Sequence, residues 1–258
     1  MDGVIFDSER RNLACWKETG EKFGQQDAED VGRACIGANA EATERIFREH
    51  YGERISFAVF KEEAGKRFRE AGRLLPVKKG AEELLSFLSS RHIPTALASS
   101  TRRETVEREL KDAGLYAYFD AVICGDMVSE SKPSPQIFLA AAGALGMPPK
   151  SCCVIEDSYN GVRAGHAAGM LTIMVPDLLP PTQEMREKAD LILPDLLFVQ
   201  KYLSGILPAE RQKTARERRS WRIRKAGTKE NAEAKTGGPN GTACLIMRTC
   251  FLRFPAHF

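Results

Sequence analysis

Four short polar runs in this sequence have residue types and spacing that could do chemistry. Glu156-Asp157 is an adjacent pair of hard oxygen donors. Such a pair suits Mg²⁺, which prefers few carboxylates together with phosphate and water. Lys132 supplies a compact positive charge suited to a phosphate group, and Pro133 fixes the turn that presents it. Ser99 offers a hydroxyl and Ser100 a backbone N–H at the entry to a helix, both suited to a phosphate oxygen. Asp2 is a carboxylate whose successor, Gly3, permits a sharp turn. Each run alone has an ordinary structural reading: a surface loop for Lys-Pro, an N-terminal helix cap for Glu-Asp or Ser-Ser, a tight turn for Asp-Gly. Together they match what phosphoryl transfer needs: positive charge against the phosphate oxygens, a metal ion, and a carboxyl group that moves protons.

Residues so far apart need a scaffold that gathers them. From Ile93 to Leu193, short apolar runs alternate with amphipathic stretches. Strands are predicted at 93–99, 120–125, 151–156, 171–175 and 190–193, and helices at 102–113, 134–145, 161–168 and 182–188. Apolar runs without clean alternation fit strands covered on both faces, and strand–helix alternation predicts a parallel sheet with right-handed crossovers. In such sheets ligands bind at the carboxyl ends of the strands, where Ser99-Ser100 and Glu156-Asp157 fall. Residues 9–75 lack strand-like runs and carry helical spacing at 12–23, 40–50 and 57–71. They read as a small helical insertion, after which the helix 80–91 returns the chain to the sheet. Gly161, Gly165 and Gly169 form a ladder of small residues that lets a helix approach the sheet closely.

The four runs occur in order as MDGVIFDSE at residue 1, ALASST at 96, SKPSPQIF at 131 and VIEDSYNG at 154. In that order, with the helical insertion after the first, they resemble the haloacid dehalogenase-like hydrolases of the helical-cap subgroup, which includes β-phosphoglucomutase and many sugar-phosphate phosphatases. The resemblance covers residues 1 to 204. It implies an α/β fold: a Rossmann-like parallel sheet core (1–8 and 76–204) with an inserted helical cap (9–75); beyond it, residues 205–258 read from their charge and composition as a basic, disordered tail. It also implies a Mg²⁺-dependent phosphatase acting on a small phosphomonoester such as a sugar phosphate. Catalytic roles fall to Asp2 and Lys132, phosphate binding to Ser99, Ser100 and Lys132, metal binding to Asp2, Glu156 and Asp157, and substrate contacts at the cap hinge to Ser8 and Asn12.

In the family the first motif is an apolar strand ending in Asp-x-Asp-Gly, whose first Asp attacks phosphorus and whose second moves the leaving-group proton. Asp2 matches the second, so the resemblance places the nucleophile before Met1. The expectation is therefore a chain truncated at its N-terminus, lacking the nucleophilic Asp and the first strand of the sheet. Asp2 favours phosphoryl transfer over carbon–halogen cleavage. A mutase reading is the alternative, weakened because the sugar-gripping His and Arg of β-phosphoglucomutase fall at Asn12 and near Ala40. A non-catalytic phosphate binder and a nucleic-acid binder using the tail are further alternatives.

Composition bounds these readings. The 258 residues are 43% hydrophobic and 28% charged, with no apolar run near the ~20 residues a membrane helix needs. No signal peptide is expected at the start, MDGVIFDSERRN. From Gly205 onward, 12 Lys and Arg stand against 4 Asp and Glu, so the net +3 conceals a mildly acidic body and a basic tail. That tail reads as a solvated extension in preference to a nucleic-acid surface, with Arg211 to Lys225 as its basic stripe. Seven cysteines without a C-x-x-C pattern read as buried reduced thiols in a cytoplasmic protein, and zinc has no support. The expected partner is a small phosphorylated metabolite, without membrane association, and the expected state is a monomer.

Overall fold

The structure, a computed structural model, describes residues 1–38, 40–72 and 74–207, together with the backbone of 245–247. Four helices come first: α1 (Ser8–Lys22), α2 (Ala28–Ala34), α3 (Ala40–Tyr51) and α4 (Phe57–Glu70). They pack on an aromatic cluster of their own. Phe47 is fully buried with its ring 4.8 Å from Tyr51, 4.9 Å from Phe60 and 5.2 Å from Phe57. Edge-to-face and tilted contacts at such distances add to the burial of large rings.

The rest is strand–helix alternation: α5 (Ala81–Ser90), β1 (Thr95–Ser99), α6 (Arg103–Asp112), β2 (Ala121–Cys124), α7 (Gln136–Ala144), β3 (Cys153–Glu156), α8 (Tyr159–Ala167), β4 (Leu171–Met174), α9 (Gln183–Lys188), β5 (Leu191–Ile192) and α10 (Leu196–Ile206). Ala96, Ala98 and Val154 bury one sheet face against α7 and α8 through Phe138, Ala141 and Ala164. Leu97, Ile155 and Ile173 bury the other against α5 and α10 through Leu84, Leu88, Val199 and Leu203. Burial on both faces explains why the strands read as continuous apolar runs. The α/β class and the helical insertion are thus as the sequence reading has them.

The sheet order is β2-β1-β6-β3-β4-β5, all parallel, with β6 formed by Leu245–Met247. β6 lies at the centre: Ala96 and Val154 both face Ile246 in register. The residues from Met1 to Phe6 give no strand to this sheet; they form a tight turn in which Gly3, Val4, Ile5 and Phe6 are tied by backbone hydrogen bonds. Residues 245–247, from the tail expected to lie outside the fold, thus hold the central position. The charged stretch expected to be disordered, including Arg211 to Lys225, lies outside the described residues.

The two chain segments joining the helical insertion to the sheet run side by side. Phe6 and Val77 form an antiparallel bridge, Asp7 N donates to Pro76 O, and Lys78 N donates to Ile5 O. Arg10 and Lys78 both pair with Asp177, at 2.8 and 2.6 Å. Entry and exit of the insertion are therefore clamped to one carboxylate beyond β4.

Candidate active site

Asp2 sits in the N-terminal turn, where Gly3 adopts φ +72°, a conformation open to glycine. Ser8 Oγ donates to Asp2 Oδ1 at 2.8 Å and Thr101 Oγ1 donates to Oδ2 at 3.1 Å. One donor comes from the start of α1, the other from the loop after β1, so the carboxylate is held between the helical insertion and the sheet. The sequence reading has a catalytic aspartate absent from the chain, and this is corrected: Asp2 is present in the site with both oxygens engaged. Register alone assigns roles from motif position; the fold shows which carboxylate the hydroxyl groups hold.

Asp157 packs directly on this turn. A Cβ placed on Gly3 would lie 2.0 Å from Asp157 Oδ2, so the carboxylate occupies the space that only glycine leaves. Asp157 is 3% exposed. Glu156, beside it, faces the other way. Its Oε1 accepts from Lys132 Nζ at 2.5 Å, and its Oε2 accepts from Asp157 N, Ser158 N and Ser158 Oγ at 3.0–3.2 Å. Ser158 Oγ in turn accepts from Gly161 N, capping α8. A Cβ on Gly161 would lie 1.9 Å from the Glu156 carboxyl carbon, which is the close approach behind the first rung of the glycine ladder. Lys132 also lies 4.8 Å from the Phe138 ring centroid and is buried with Glu156.

Asp2, Ser8, Asn12, Ser100 and Thr101 line one cleft of about 650 Å³ between the helical insertion and the sheet. Lys132, Glu156 and Asp157 lie buried outside its lining, with Asp157 joined to it through Gly3. Ser99 is fully buried and its hydroxyl accepts from Thr101 N at 3.2 Å. Ser8, expected to touch substrate, bonds the Asp2 carboxylate. Among the described residues no group of three or more His, Cys, Asp or Glu side chains gathers as a metal cluster.

Sequence reasoning missed several cleft residues. Thr101 ends the Ser-Ser-Thr run, and that third hydroxyl is the signal that could have found it. Gly37 lies against Ser158, and Asn160 Nδ2 donates to Gly37 O at 3.1 Å, so the loop after α2 latches onto the N-terminus of α8. Glu109 on α6 lines the cleft with Asp2. Burial first, and the charge of Asp2 second, push its carboxyl from the ordinary 4.5 up to about 7. A raised folded-state value means that Glu109 favours folding fully below pH 4.5 and that this contribution is lost as pH rises through about 7. Glu109→Gln is therefore expected to raise the melting temperature at pH 8, on the order of 2–3 kcal/mol of stability, with the gain shrinking steadily toward about pH 5. Melting curves of both proteins across that range check it; a pH-independent difference would contradict the assignment.

Comparison with known proteins places this geometry. A family model described as haloacid dehalogenase-like hydrolase matches residues 1–169. The match begins at residue 1. A Drosophila melanogaster protein described as "Probable pseudouridine-5'-phosphatase" is 34% identical over 183 residues, 69% of this chain and 79% of its own length. A phosphorylated carbohydrates phosphatase from Thermotoga maritima is 35% identical over 175 residues, 66% and 79% of the two chains. The crystal structure of CbbY from Rhodobacter sphaeroides in complex with phosphate superposes with a TM-score of 0.63 at 25% identity, covering 76% of this chain and 92% of that one.

Proposed function

The chain belongs to the haloacid dehalogenase-like hydrolases, a capped phosphatase of that family, and we propose that it hydrolyses a small, soluble phosphomonoester of the sugar- or polyol-phosphate class. The observation that carries the reading is Asp2, a carboxylate held by Ser8 and Thr101 at the floor of a cleft large enough for such a molecule. The relatives named above as phosphatases of phosphorylated carbohydrate and pseudouridine phosphate support the substrate class.

Family membership implies dependence on Mg²⁺. The donors present fit such an ion: the Asp157 carboxylate lies against Gly3, beside Asp2, and Mg²⁺ needs only one or two carboxylates when phosphate and water complete its shell. Glu156 is engaged by Lys132 and the donors of residues 157 and 158, so the Asp157 carboxylate and the backbone carbonyl of Asp2 are the proposed holders and Glu156 is the anchor of Lys132. When bound, the ion would neutralise charge on the phosphoryl oxygens.

Asp2 accepts a proton from the attacking water and returns one to the leaving alcohol oxygen. A P–O bond forms to the water oxygen as the ester P–O bond breaks, giving inorganic phosphate and the free alcohol. Ser8 and Thr101 fix the Asp2 carboxylate for both transfers. Ser100 and the N–H groups entering α6 take the phosphate oxygens, and Lys132 adds positive charge behind them. The helical insertion, residues 9–75, acts as the cap that excludes bulk water, with Asn12 facing the leaving group and the Asn160–Gly37 latch holding it shut. A cytoplasmic, monomeric protein is proposed; among the described residues no helix is long and apolar enough to cross a membrane.

A panel of sugar and polyol phosphates tests the reading, with phosphate release measured with Mg²⁺ and with a chelator. Mg²⁺-dependent release with first-order dependence on enzyme is expected. Release of no phosphate from any member, or conversion of a sugar 1-phosphate to its 6-phosphate only with a bisphosphate activator, would replace hydrolysis by binding or by mutase chemistry.

A further inference from the structure

We infer that Arg163 is a positioning residue for the cap: tied to Glu184, it fixes the Asn160 amide in the one orientation that holds the Gly37 loop on α8. This rests on the phosphatase reading and adds a residue to it. The loop after α2 closes one side of the cleft, which Cys35, Gly37 and Ala38 line. Ala38 N donates to Cys35 O at 3.0 Å, so these residues form one tight turn. The turn comes close to α8 because position 37 is glycine, at φ +76°. A Cβ there would lie 2.9 Å from Ser158 Cβ. The hydrogen bond across this contact runs from Asn160 Nδ2 to Gly37 O, at 3.1 Å.

A side-chain amide has nearly the same shape turned over. Turned over, Asn160 would set a carbonyl oxygen against the Gly37 carbonyl, and the loop would lose its donor. Arg163 decides between the two orientations. Its Nη1 donates to Asn160 Oδ1 at 2.9 Å, which leaves Nδ2 for Gly37. The guanidinium is held in turn, with Nε and Nη2 donating to Glu184 Oε1 and Oε2 at 2.7 and 2.5 Å. All three guanidinium nitrogens are thus engaged, and Glu184, on α9 outside the cleft lining, reaches the cap through two side chains. Lysine has the same charge but no planar fork, so it cannot serve both partners in this geometry. The Arg163 and Glu184 side chains are 36% and 41% exposed. An ion pair so exposed adds little to stability, so its effect is on the direction of the Asn160 amide.

The test compares Arg163→Lys, Asn160→Ala and the double variant in the full chain, with two readouts. The first is KM against kcat for the best substrate of the panel. The second needs no turnover: alkylation of Cys35 by iodoacetamide in the substrate-free protein, followed by mass spectrometry of its peptide. Each single variant is expected to raise KM about three- to tenfold, the worth of one hydrogen bond, with kcat nearly unchanged. Each should also speed Cys35 alkylation by a similar factor. Because Arg163 acts through Asn160, Arg163→Lys should change neither readout further once Asn160 is alanine. Asn160→Asp keeps the Arg163 bond but turns an acceptor toward Gly37 O, and should match Asn160→Ala. Effects that add in the double variant, or a raised KM with Cys35 alkylation unchanged, overturn the inference while leaving the phosphatase. So does a native KM and alkylation rate in Arg163→Lys. Faster, non-additive alkylation in a chain that hydrolyses no panel compound supports the latch and removes the phosphatase reading instead.

Discussion

Lys132→Met is expected to lower the stability of this protein by about 3–5 kcal/mol and to remove nearly all phosphatase activity, and the two losses should separate in a double variant. Lys132 Nζ stands 2.5 Å from Glu156 Oε1, with side chains 3% and 0% exposed. Taking away the ammonium leaves a buried carboxylate whose remaining partners, at Asp157 N and at Ser158 N and Oγ, are dipoles. A buried charge deprived of its counter-charge costs far more than the pair contributes when intact. Lys132→Met with Glu156→Gln removes both charges, and the amide can still accept from the donors at residues 157 and 158. Its melting temperature should recover most of the way to that of the native chain. Its activity should not, because the positive charge that Lys132 is proposed to set behind the phosphoryl group is still missing. Thermal melts with phosphate-release assays on the single and double variants decide this. Recovery of both properties together would make Lys132 a purely structural partner of Glu156, and the phosphate-binding role would fall to Ser100 and the start of α6.

How far the sequence discloses this arrangement follows from how local each feature is. Strands β1 to β4 are short apolar runs closed at one end by polar residues, a signal contained within each run, and their ends agree with the reading to within two residues. Helix α10 went unread although its start is marked: Asp195 Oδ1 accepts from Leu197 N and Phe198 N at 2.9 and 3.1 Å, an ordinary N-cap ahead of an apolar stretch. Helix α2 is seven residues long with a glycine inside, too short and too weak in propensity to show a period. Two of the four motif positions, Ser99-Ser100 and Glu156-Asp157, were legible because strand ends in a parallel sheet are where ligands collect. Their grouping was not fully legible. Glu156 and Asp157, adjacent in sequence, face opposite ways, one to Lys132 and one to Gly3. The cations that line the cleft with Asp2 lie on α4 and α6, outside every motif, and only the folded chain brings them to it.

Removing β6 is expected to cost more than any single side chain, because its contribution is made by backbone groups that no other part of the chain can replace. Thr95, Ala96 and Leu97 of β1 pair with 245–247 on one side, and Val154 and Ile155 of β3 pair with 246 and 247 on the other. Ala96, Leu97, Val154 and Ile155 are fully buried, so water cannot take over the freed N–H and C=O groups. Each buried backbone group left without a partner costs about 1–3 kcal/mol, and several of them rival the ~5–15 kcal/mol that holds a whole domain. A chain ending at Leu207 should accordingly melt far below the full chain, or retain helical far-ultraviolet dichroism while losing the fixed environment of its aromatic residues. Ile246→Pro provides the sharper version. It keeps the rest of the tail, deletes one central N–H, and sets a ring where strands must lie on both sides, a position from which proline is excluded. Urea unfolding of the native chain, the shortened chain and the proline variant should place both altered proteins well below the native midpoint. Midpoints indistinguishable from the native one would show that the sheet centre does not depend on residues 245–247 and that β1 and β3 are held by something else. A loss in the shortened chain alone would instead assign the stabilisation to the tail outside the strand. The catalytic consequence follows from the same geometry: Thr101 and Asp157 are carried on the loops that leave β1 and β3, so the spacing between those strands, set by β6, is what lets both reach the Asp2 turn.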